Sequence, residues 1–543
     1  MIKRYTNFIL WSVTILIFAV FTVTLDIRPG RLWHIVNVLL FENSILDLIQ
    51  YALVFTASLI SVVLLLASKN RIIRFSAWTL FGVLCIVNSS YRIITGYEFM
   101  YNDWLLAKSN SHFLSQVFQQ FLLAIIISSV ATVAIIWLCN SLLKKKSLRA
   151  NSATLFFVPI GFLFVYYEIS QSAGNLDQFP FLARIPAIII HHAWNPLPTI
   201  DREQVEVTSH GRKVNHLFLI VDESITGRDL QLNGNPFPTT PFLNENRSRI
   251  INFGIATSYT NYSAGSNIAL TTGARMNQLP DKSLTILHQP TIYQYAKKAG
   301  FKTYLIDAQM MDYRLQNFLT DQDRPYIDSI IQLSHLQKNK LLYEERDQII
   351  NGILSKLACS PVPVFVYVVK FGAHWPYART YPDSMSLFKP VLSRSSLIRD
   401  SIKTRNTYYN AIRWSVDLFW KRIIEDLNGK DSTMIVYTSD HGQDISKQGI
   451  QISHASIIDV SPREANVPLW MYSNYPHPFT SSHRDERHHQ DIFPTLLFFM
   501  GYSKDFIVTK YGPTLLDSSY AVESRKFLTG DIFNRANSAL IRF

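Results

Sequence analysis

Residues 433–443 read TMIVYTSDHGQ, and this stretch joins the pattern of a buried strand to a polar ending. The run Met434–Tyr437 is apolar and partly β-branched, which is typical of a strand covered on both faces. Asp440 and His441 follow within a few residues. Ligands of open α/β sheets gather at the carboxyl ends of the strands, so these two side chains are candidate metal ligands.

Similar short runs recur along the chain after residue 201. Four of them predict further strands: His216–Val221, Thr303–Ile306, Val362–Val369 and Val467–Tyr472. Helical patterns such as Tyr408–Leu427 lie between the runs. Strands that alternate with helices indicate a mostly parallel central sheet with helices on both faces. The sequence therefore predicts an α/β domain over residues 206–543.

The first of these strands also ends in acids. Asp222 and Glu223 follow the run His216–Val221 directly. Two strand ends that carry carboxylates, together with one imidazole, suit Zn²⁺, or Mn²⁺ where more oxygen ligands are present. An acid after a single strand is often only a helix cap, so the prediction depends on the pairing of two strand ends. Which of the two acids binds is left open.

A hydroxyl motif lies between these two strand ends in the sequence. Residues 261–273 read NYSAGSNIALTTG, and the apolar stretch after Ser263 predicts a helix that begins there. The free N–H groups and the dipole of such a helix terminus favour a bound phosphoryl group and an ionised hydroxyl. Ser263 is therefore a candidate nucleophile that a metal would activate, and a plain helix-capping serine is the alternative.

The N-terminal part of the chain is strongly apolar. Only 17% of the 543 residues are charged, against about 25% in an ordinary soluble domain. Five apolar runs approach the ~20 residues that span a bilayer. They are Phe8–Leu25, Leu48–Ala67, the weaker Phe75–Ser90, Phe121–Leu138 and Ala153–Ile169. Residues 1–170 are therefore predicted to form an α-helical transmembrane domain of about five spans.

Basic residues predict the orientation of these spans. Three clusters fall on one side of a five-span arrangement: Lys3 and Arg4; Lys69, Arg71 and Arg74; and Lys144, Lys145, Lys146 and Arg149. The positive-inside rule makes that side cytoplasmic, so everything after Ile169 lies outside. Residues 171–205 are predicted to be a linker, with interfacial segments such as Ile185–His192.

The charge balance narrows the class of partner. A net charge of +12 suits nucleic acid, an anionic membrane surface or an anionic substrate. No zinc finger or other nucleic-acid module is recognisable, so a nucleic-acid partner is not predicted, and the membrane surface is the simpler explanation. Of the three cysteines only Cys359 falls in the outer domain, so no disulfide can form within that domain.

Further segments resemble those of a known family. Residues 371–382 read FGAHWPYARTYP, which is similar to the phosphate-binding histidine segment of the alkaline phosphatase/sulfatase superfamily. Residues 408–413 read YYNAIR, which resembles the YxNAIxYxD helix of membrane phosphoethanolamine transferases, with Trp414 at the second tyrosine and Asp417 one place late. Residues 439–443 read SDHGQ against their SDHGE, and residues 491–495 read DIFPT against DIxPT. The chain thus resembles the membrane phosphoethanolamine transferases.

This resemblance implies a metal centre and a nucleophile. The implied metal ligands are Glu223, Ser263, Asp440 and His441. Asp222 stays open as an alternative or additional ligand, since these transferases commonly have glycine at its position. Ser263 is the implied nucleophile because it lies ten residues before the glycine of a Thr-Gly ending, as in the related enzymes.

The resemblance also implies residues that bind substrate. His374 and His454 correspond to active-site histidines, so they are expected to be catalytic and to bind the transferred phosphate. Ser266, three residues after the nucleophile, is expected to bind substrate, and His489 is a further candidate for that role.

The implied reaction is the transfer of phosphoethanolamine from phosphatidylethanolamine to a lipopolysaccharide acceptor, lipid A or core, in the outer leaflet. It would proceed through a covalent intermediate on Ser263, in a multi-pass protein of the bacterial inner membrane with a periplasmic sulfatase-like domain. One alternative is a phosphoglycerol transferase of the lipoteichoic-acid-synthase or glucan-modifying type, and a second is a catalytically inactive membrane scaffold. A true sulfatase is disfavoured, because Gly265 and Asn267 replace the proline and arginine of its C/S-x-P-x-R motif.

Overall fold

The computed structural model describes residues 9, 12–13, 15–20, 37, 45–109, 114–143, 157–171, 181–194, 197–198, 200–310, 313–333, 343–393, 400–428, 430, 432–446, 454–457, 459–476, 479, 484–517, 525–534 and 538–542. The chain divides into two compact units. Met1–Pro198 with Gly449–Gln451 forms the first unit, and Thr199–Gln448 with Ile452–Phe543 forms the second.

The described residues of the first unit are mostly helical. Its helices are α1 Ile45–Leu66, α2 Arg71–Thr95, α3 Tyr101–Ser109, α4 Leu114–Leu143, α5 Phe157–Gln171 and α6 Phe181–Trp194. Helix α2 shows how the sequence sets its ends. The Asn70 side chain accepts hydrogen bonds from the first-turn N–H groups of Ile72 and Ile73, and Gly96 ends the helix in the left-handed conformation.

Three of these helices are long and apolar enough to cross a membrane: Ile49–Leu66, Arg71–Thr95 and Phe121–Ser141. They confirm as helices three of the five predicted spans. The apolar part of α5, Phe157–Tyr167, is shorter than a span. Most of the first predicted span, Phe8–Leu25, lies outside the described residues, as do the basic clusters at residues 3–4 and 144–149. The predicted count of about five spans is therefore not confirmed.

Helix α6 falls in the segment that was predicted to be a linker with interfacial parts. It runs for 14 residues and contains Pro186. Phe181, Leu182 and Ile185 are buried in the apolar core of the first unit, where they join Cys85 and Cys139. One face of this helix therefore belongs to that core, and the predicted linker over residues 171–205 stays a prediction.

The second unit is built on one large sheet. Its strands are β1 His216–Asp222, β2 Ile250–Thr257, β3 Lys302–Asp307, β4 Ser329–Gln332, β5 Val364–Val369, β6 Thr433–Ser439 and β7 Asn466–Ser473. Among the described residues the order across the sheet is β2-β7-β6-β1-β5-β3-β4. Strands β6, β1, β5, β3 and β4 are mutually parallel, whereas β7 runs antiparallel to both neighbours. A separate hairpin pairs β8 Lys526–Thr529 with β9 Ala539–Arg542.

The predicted fold class is confirmed in this unit. All five predicted strand runs are strands, and the central sheet is mostly parallel. Strands β2 and β4 were not predicted. Strand β4 has only four residues and lies at the sheet edge, so its sequence is too short to show a pattern. Strand β2 contains a register shift between Asn252 and Ile255, which interrupts the alternation of buried and exposed side chains.

Helices flank this sheet in the order of the chain. They are α7 Pro241–Glu245, α8 Ser263–Thr272, α9 Thr285–His288, α10 Ile292–Lys298, α11 Tyr343–Leu357, α12 Ser401–Ile412, α13 Phe419–Asp426, α14 Ile492–Phe499 and α15 Lys504–Tyr511. A π-helical turn, Arg413–Leu418, joins α12 to α13. The predicted helix Tyr408–Leu427 is thus helical as far as Asp426, with one wide turn in its middle.

The register of the parallel strands places their polar endings side by side. Asp222 at the end of β1 pairs with Ser439 at the end of β6. On the other side of β1, Val221 pairs with Val369, the last residue of β5, and Lys370 follows. Glu223 and Asp440 are therefore the next residues of two adjacent strands, which brings their carboxylates to one edge of the sheet.

Candidate active site

Three of the predicted metal ligands form one buried cluster. Ligand atoms of Glu223, Asp440 and His441 all lie within 4.8 Å of one another. The Nε2 atom of His441 is 3.4 Å from Oε1 of Glu223 and 3.6 Å from Oδ2 of Asp440. All three side chains are almost fully buried. The two strand ends that the sequence paired therefore meet in space.

Ser263, the predicted nucleophile, borders this cluster. Its Oγ atom donates to Oε2 of Glu223 at 3.3 Å and lies 3.4 Å from Nε2 of His441. Ser263 is the first residue of α8, and its side chain is only half-buried. A reactant can therefore approach this hydroxyl from solvent, at a helix terminus that favours an anion.

The C-terminal end of α8 requires a glycine. Gly273 ends the helix with φ +70°, a conformation that a residue with a Cβ rarely adopts. A Cβ there would also lie 2.5 Å from the ring of Phe493. The glycine therefore lets α8 end against α14, which fixes the helix that carries Ser263.

Glu223 is held by two polar neighbours besides Ser263. Gln309 Nε2 donates to Oε2 of Glu223 at 3.0 Å, and Ser224 Oγ donates to Oε1 at 2.6 Å. Ser224 has φ +63°, a strained value for a non-glycine residue. Neither Gln309 nor Ser224 is among the site residues predicted from the sequence. The position of Gln309 just after β3 was the available signal.

The His441 ring is oriented by the main chain. Its Nδ1 atom lies 2.8 Å from the carbonyl oxygen of Gly442, which can only accept, so Nδ1 carries a proton. In the neutral ring Nε2 then presents its lone pair to the cluster. Asp440 is fixed in a similar way, since its Oδ1 accepts from the N–H groups of Ser224 and of His441 at 3.0 and 2.7 Å.

The donor set fits a divalent cation such as zinc. Two carboxylates, one imidazole and one hydroxyl converge, and nitrogen and oxygen ligands of this kind build tetrahedral zinc sites. Without a cation, two buried acids this close disfavour each other's ionisation. Burial and the nearby Glu223 charge raise the pKa of Asp440 to about 8. Burial opposes the charge of His441, but the two acids raise its pKa to about 9. In the metal-free protein, protons on Asp440 and His441 thus supply the positive charge that a metal ion would otherwise bring.

Two further predicted histidines lie close to this cluster. The ring of His454 stacks on that of His441, with centroids 4.4 Å apart, and its Nδ1 atom is buried without a hydrogen-bond partner among the described residues. His374 stacks on Phe371, and its Nδ1 lies 2.6 Å from the carbonyl oxygen of Trp375. Burial lowers the pKa of both histidines, and the charge of Glu223 acts against this on each.

Three other predicted site residues lie outside the cluster. Asp222 points away from it and accepts from Lys370 Nζ at 2.5 Å and Tyr437 OH at 2.7 Å. Ser266 is fully buried, and its Oγ bonds with Thr260. Each of the two side chains is thus hydrogen-bonded to a neighbouring buried polar group, and the expected ligand role of Asp222 and substrate role of Ser266 stay predictions.

His489 also sits away from the reacting groups. It is fully buried, with Nε2 3.0 Å from Oγ1 of Thr438 and its ring against Tyr259. Burial lowers its pKa well below the ordinary value. The structure therefore places His489 behind strand β6, where it packs as a neutral core residue.

The matching helix residues around Tyr408 support the loop after Glu223. Tyr408 OH donates to the carbonyl oxygen of Ser224 and accepts from the N–H of Thr226, both at 2.8 Å. Asn410 Oδ1 accepts from the N–H groups of Leu387 and Phe388. These residues hold backbone segments near the cluster, so their role in the structure is that of a scaffold.

The metal-free protein is expected to lose stability as the pH rises from about 7 to 9. Folded Asp440 and His441 keep their protons up to pKa values of about 8 and 9, whereas the unfolded chain releases them near 3.8 and 6.5. The folded state therefore binds more protons throughout this range, and its stability falls as they are lost. Melting temperatures of the chelated protein across this range would measure the effect.

Two comparisons make this measurement specific. Asp440→Asn should flatten the decline, because one of the two proton-binding groups is gone. Zinc-loaded protein should not show the decline, since the metal replaces those protons. A melting temperature of the chelated wild-type protein that stays constant or rises from pH 7 to 9 would contradict the proposed charge state of the cluster.

Similar proteins share both the sequence pattern and the fold. Phosphoethanolamine transferase EptA of Helicobacter pylori is 26% identical over 339 residues, which cover 60% of this chain and 57% of that protein. Phosphoethanolamine transferase EptC of Escherichia coli (strain K12) is 25% identical over 299 residues, which cover 53% of this chain and 47% of that protein. The chain thus spans about half the length of the curated relatives it matches.

Two solved structures show the same fold. The integral membrane protein lipooligosaccharide phosphoethanolamine transferase A (EptA) from Neisseria meningitidis superimposes with a TM-score of 0.58 at 16% identity, covering 84% of this chain and 90% of that one. The C-terminal periplasmic domain of EcEptC from Escherichia coli, in complex with Zn, gives a TM-score of 0.52 at 19% identity, covering 63% and 96%. Residues 215–502, more than half of the chain, match the Sulfatase family. These residues hold the sheet, the cluster and Ser263, and the chain belongs to the sulfatase family.

Proposed function

We propose that this chain transfers phosphoethanolamine from phosphatidylethanolamine to a lipopolysaccharide acceptor, lipid A or core, through a covalent ester on Ser263. The observation that carries the proposal is the position of the Ser263 hydroxyl. It is half-buried at a helix terminus, with Glu223 Oε2 at 3.3 Å and His441 Nε2 at 3.4 Å. A reachable hydroxyl beside buried bases is the arrangement of an activated nucleophile. The names of the relatives supply the group that is transferred.

The cluster is proposed to hold Zn²⁺, with Mn²⁺ as the alternative. Glu223, Asp440 and His441 would be its buried ligands, and the Ser263 hydroxyl would complete the set. When bound, the ion supplies positive charge that favours the ionised hydroxyl and the charged phosphoryl group. The zinc complex of the similar EptC domain supports zinc over manganese.

The first step forms one bond and breaks another. The Ser263 Oγ attacks phosphorus, the bond from phosphorus to the glycerol oxygen breaks, and diacylglycerol leaves. The Ser263 proton moves toward Oε2 of Glu223, which already accepts its hydrogen bond, and the leaving glycerol oxygen takes a proton from solvent. In the second step an acceptor oxygen attacks the same phosphorus and the Ser263 ester breaks, so kinetics of the ping-pong type follow.

The two nearby histidines are proposed to serve these steps as neutral rings. His374 donates from Nδ1 to the Trp375 carbonyl, which leaves Nε2 as a proton acceptor for the incoming acceptor hydroxyl. His454 presents a buried Nδ1 that has no partner among the described residues, and this atom can donate to a phosphoryl oxygen. Lowered pKa values favour these neutral forms at pH 7.

We also propose that the chain lies in the bacterial inner membrane with its catalytic domain, residues 206–543, in the periplasm. Three helices of membrane-spanning length, together with Lys69, Arg71 and Arg74 on the side predicted to be cytoplasmic, support this. A lipid donor is consistent with such an anchor, because a tethered domain works at the bilayer surface. The acceptor would be a glycolipid in the outer leaflet.

The full-length protein, purified with zinc and incubated with a fluorescent phosphatidylethanolamine, should gain a phosphoethanolamine group on Ser263. Intact-mass and peptide mass spectrometry would locate the group, and chromatography would detect the labelled diacylglycerol. Both products together would establish the donor, the nucleophile and the first half-reaction. Addition of lipopolysaccharide should then discharge the adduct.

The same assay separates the competing functions. Phosphatidylglycerol in place of phosphatidylethanolamine should leave Ser263 unmodified, and an adduct from that lipid alone would replace our proposal by phosphoglycerol transfer. No adduct from either lipid, with zinc bound, would favour an inactive membrane scaffold.

A further inference from the structure

A buried network of charges lies directly behind the candidate metal cluster. The ammonium group of Lys370 is fully buried and lies 2.5 Å from Oδ2 of Asp222 and 3.6 Å from Oδ2 of Asp347. Tyr437 OH donates to the same Oδ2 of Asp222 at 2.7 Å. Lys370 also donates to the carbonyl oxygen of Ser415 in the wide turn, at 2.5 Å. One lysine therefore serves two buried acids and a helix carbonyl.

This network is connected to Glu223 by short hydrogen bonds. The other oxygen of Asp222, Oδ1, accepts from the Glu223 N–H at 3.0 Å. The main-chain oxygen of Lys370 accepts from Gln309 Nε2 at 2.8 Å, and the same amide group donates to Oε2 of Glu223. The Glu223 backbone is thus bonded to an acid that the Lys370 ammonium group contacts, and the Glu223 carboxylate is bonded to an amide that contacts the Lys370 main chain.

The network reaches the second metal-bearing strand and the histidine segment as well. The main-chain oxygen of Asp222 accepts from the Asp440 N–H at 2.9 Å. Asp347 accepts from the N–H groups of Phe371 and Gly372 at 2.9 and 3.0 Å, just before His374. Gly372 packs so closely that an added Cβ would lie 2.3 Å from Oδ1 of Asp222. The elements that carry the site therefore converge on one pair of acids.

We infer that Lys370 is a positioning residue, which holds Glu223 in the metal cluster by neutralising Asp222 and Asp347. The inference rests on the proposed function only in taking the cluster as a zinc site. Two buried carboxylates cannot stay ionised and close without a counter-ion. If the lysine charge is lost, the acids must move apart, draw in water or take up protons, and each change displaces the N–H contacts of Glu223, Phe371 and Gly372.

The test is the zinc affinity of the full-length Lys370→Met variant, measured by competition with a chromogenic chelator. Methionine keeps an unbranched apolar stem that is one atom shorter, and it removes the ammonium group with its charge and its hydrogen bonds to Asp222 and Ser415. We expect binding about 10- to 100-fold weaker than wild type, the range typical for loss of a group that orients metal ligands. Arg202→Met is the matched control, because Arg202 forms a similarly buried ion pair with Asp323 at 2.8 Å, away from the cluster. It should lose stability without a change in zinc affinity.

A milder pair of variants keeps the inference testable if Lys370→Met fails to fold. Tyr437→Phe removes only the hydroxyl that donates to Asp222, and we expect zinc affinity to fall several-fold. Tyr511→Phe is its control, since it removes a buried hydroxyl that bonds only to Tyr295 OH, at 2.8 Å, in the described part of the chain. Zinc affinity of Tyr511→Phe should match the wild type.

The outcomes separate the inference from the proposed function. Wild-type protein that binds no zinc would remove the metal centre and this inference with it. Wild-type protein that binds zinc, with Lys370→Met equal to Arg202→Met or Tyr437→Phe equal to Tyr511→Phe, would overturn the inference alone. Weaker zinc binding confined to the two network variants would support it.

Discussion

Replacing Ser263 by alanine is expected to abolish the covalent adduct and to slow diacylglycerol release by at least about three orders of magnitude. The hydroxyl oxygen is the atom that would bond to phosphorus, and the Ser224 hydroxyl, which also contacts Glu223, is buried. The fold should persist, because alanine suits the first turn of a helix whose N-cap, Tyr262, makes no side-chain cap bond. Intact mass and lipid release, measured on zinc-loaded protein, would check both parts.

Ser266→Ala is the matched control for this experiment. It removes a hydroxyl from the same helix, but that hydroxyl is buried against Thr260 rather than turned to the cluster. Its loss should cost about 1–3 kcal/mol of stability through the unpaired Thr260 N–H, while the adduct still forms. If the Ser263 variant still forms the adduct, or if only the Ser266 variant fails to form it, Ser263 is not the nucleophile.

Replacing Asp440 by asparagine is expected to have an effect of similar size through the metal. The change keeps the shape of the side chain and removes one of the two proposed carboxylate ligands. Loss of a group that only orients metal ligands typically weakens metal binding roughly 10- to 100-fold, and we expect zinc affinity to fall by more than that. The rate of phosphoethanolamine transfer should fall with it. Metal content after dialysis and the rate of lipid release would both be measured.

The same substitution should stabilise the metal-free protein near pH 8. Burial and the charge of Glu223 raise the pKa of Asp440, so an uncharged amide relieves a cost that the wild-type side chain bears without zinc. Asp444→Asn is the control, since this carboxylate lies in the same loop but bonds with Ser446. An Asp440 variant that binds zinc like the wild type would exclude Asp440 as a ligand.

The strands and the cluster were predictable because each follows from local pattern. Met434–Tyr437 and His216–Val221 are short apolar runs with polar endings, and neighbouring parallel strands bring such endings together. The start of α8 at Ser263 was predictable for the same reason, since an apolar stretch follows a polar segment.

The contacts that the sequence could not supply are long-range. Nothing in the sequence near Asp222 indicates that its carboxylate accepts a hydrogen bond from Lys370, which lies 148 residues away. Ser266 lies one helical turn from Ser263, but a loop residue, Thr260, decides that it faces the interior. The antiparallel direction of β7 likewise depends on its neighbours β2 and β6, and its own residues look like those of any buried strand.

The wide turn Arg413–Leu418 accommodates one more residue than a regular helical turn does. One surplus residue in a regular helix would rotate everything beyond it by about 100° and carry Phe419 and Trp420 out of the core. The π turn absorbs the surplus, so both residues stay fully buried and Asp417 still accepts the N–H groups of Phe242 and Leu243. The wide turn therefore keeps Asp417 bonded to the chain beside it and the two aromatic residues beyond it buried, although the aspartate stands one place later than in the YxNAIxYxD pattern.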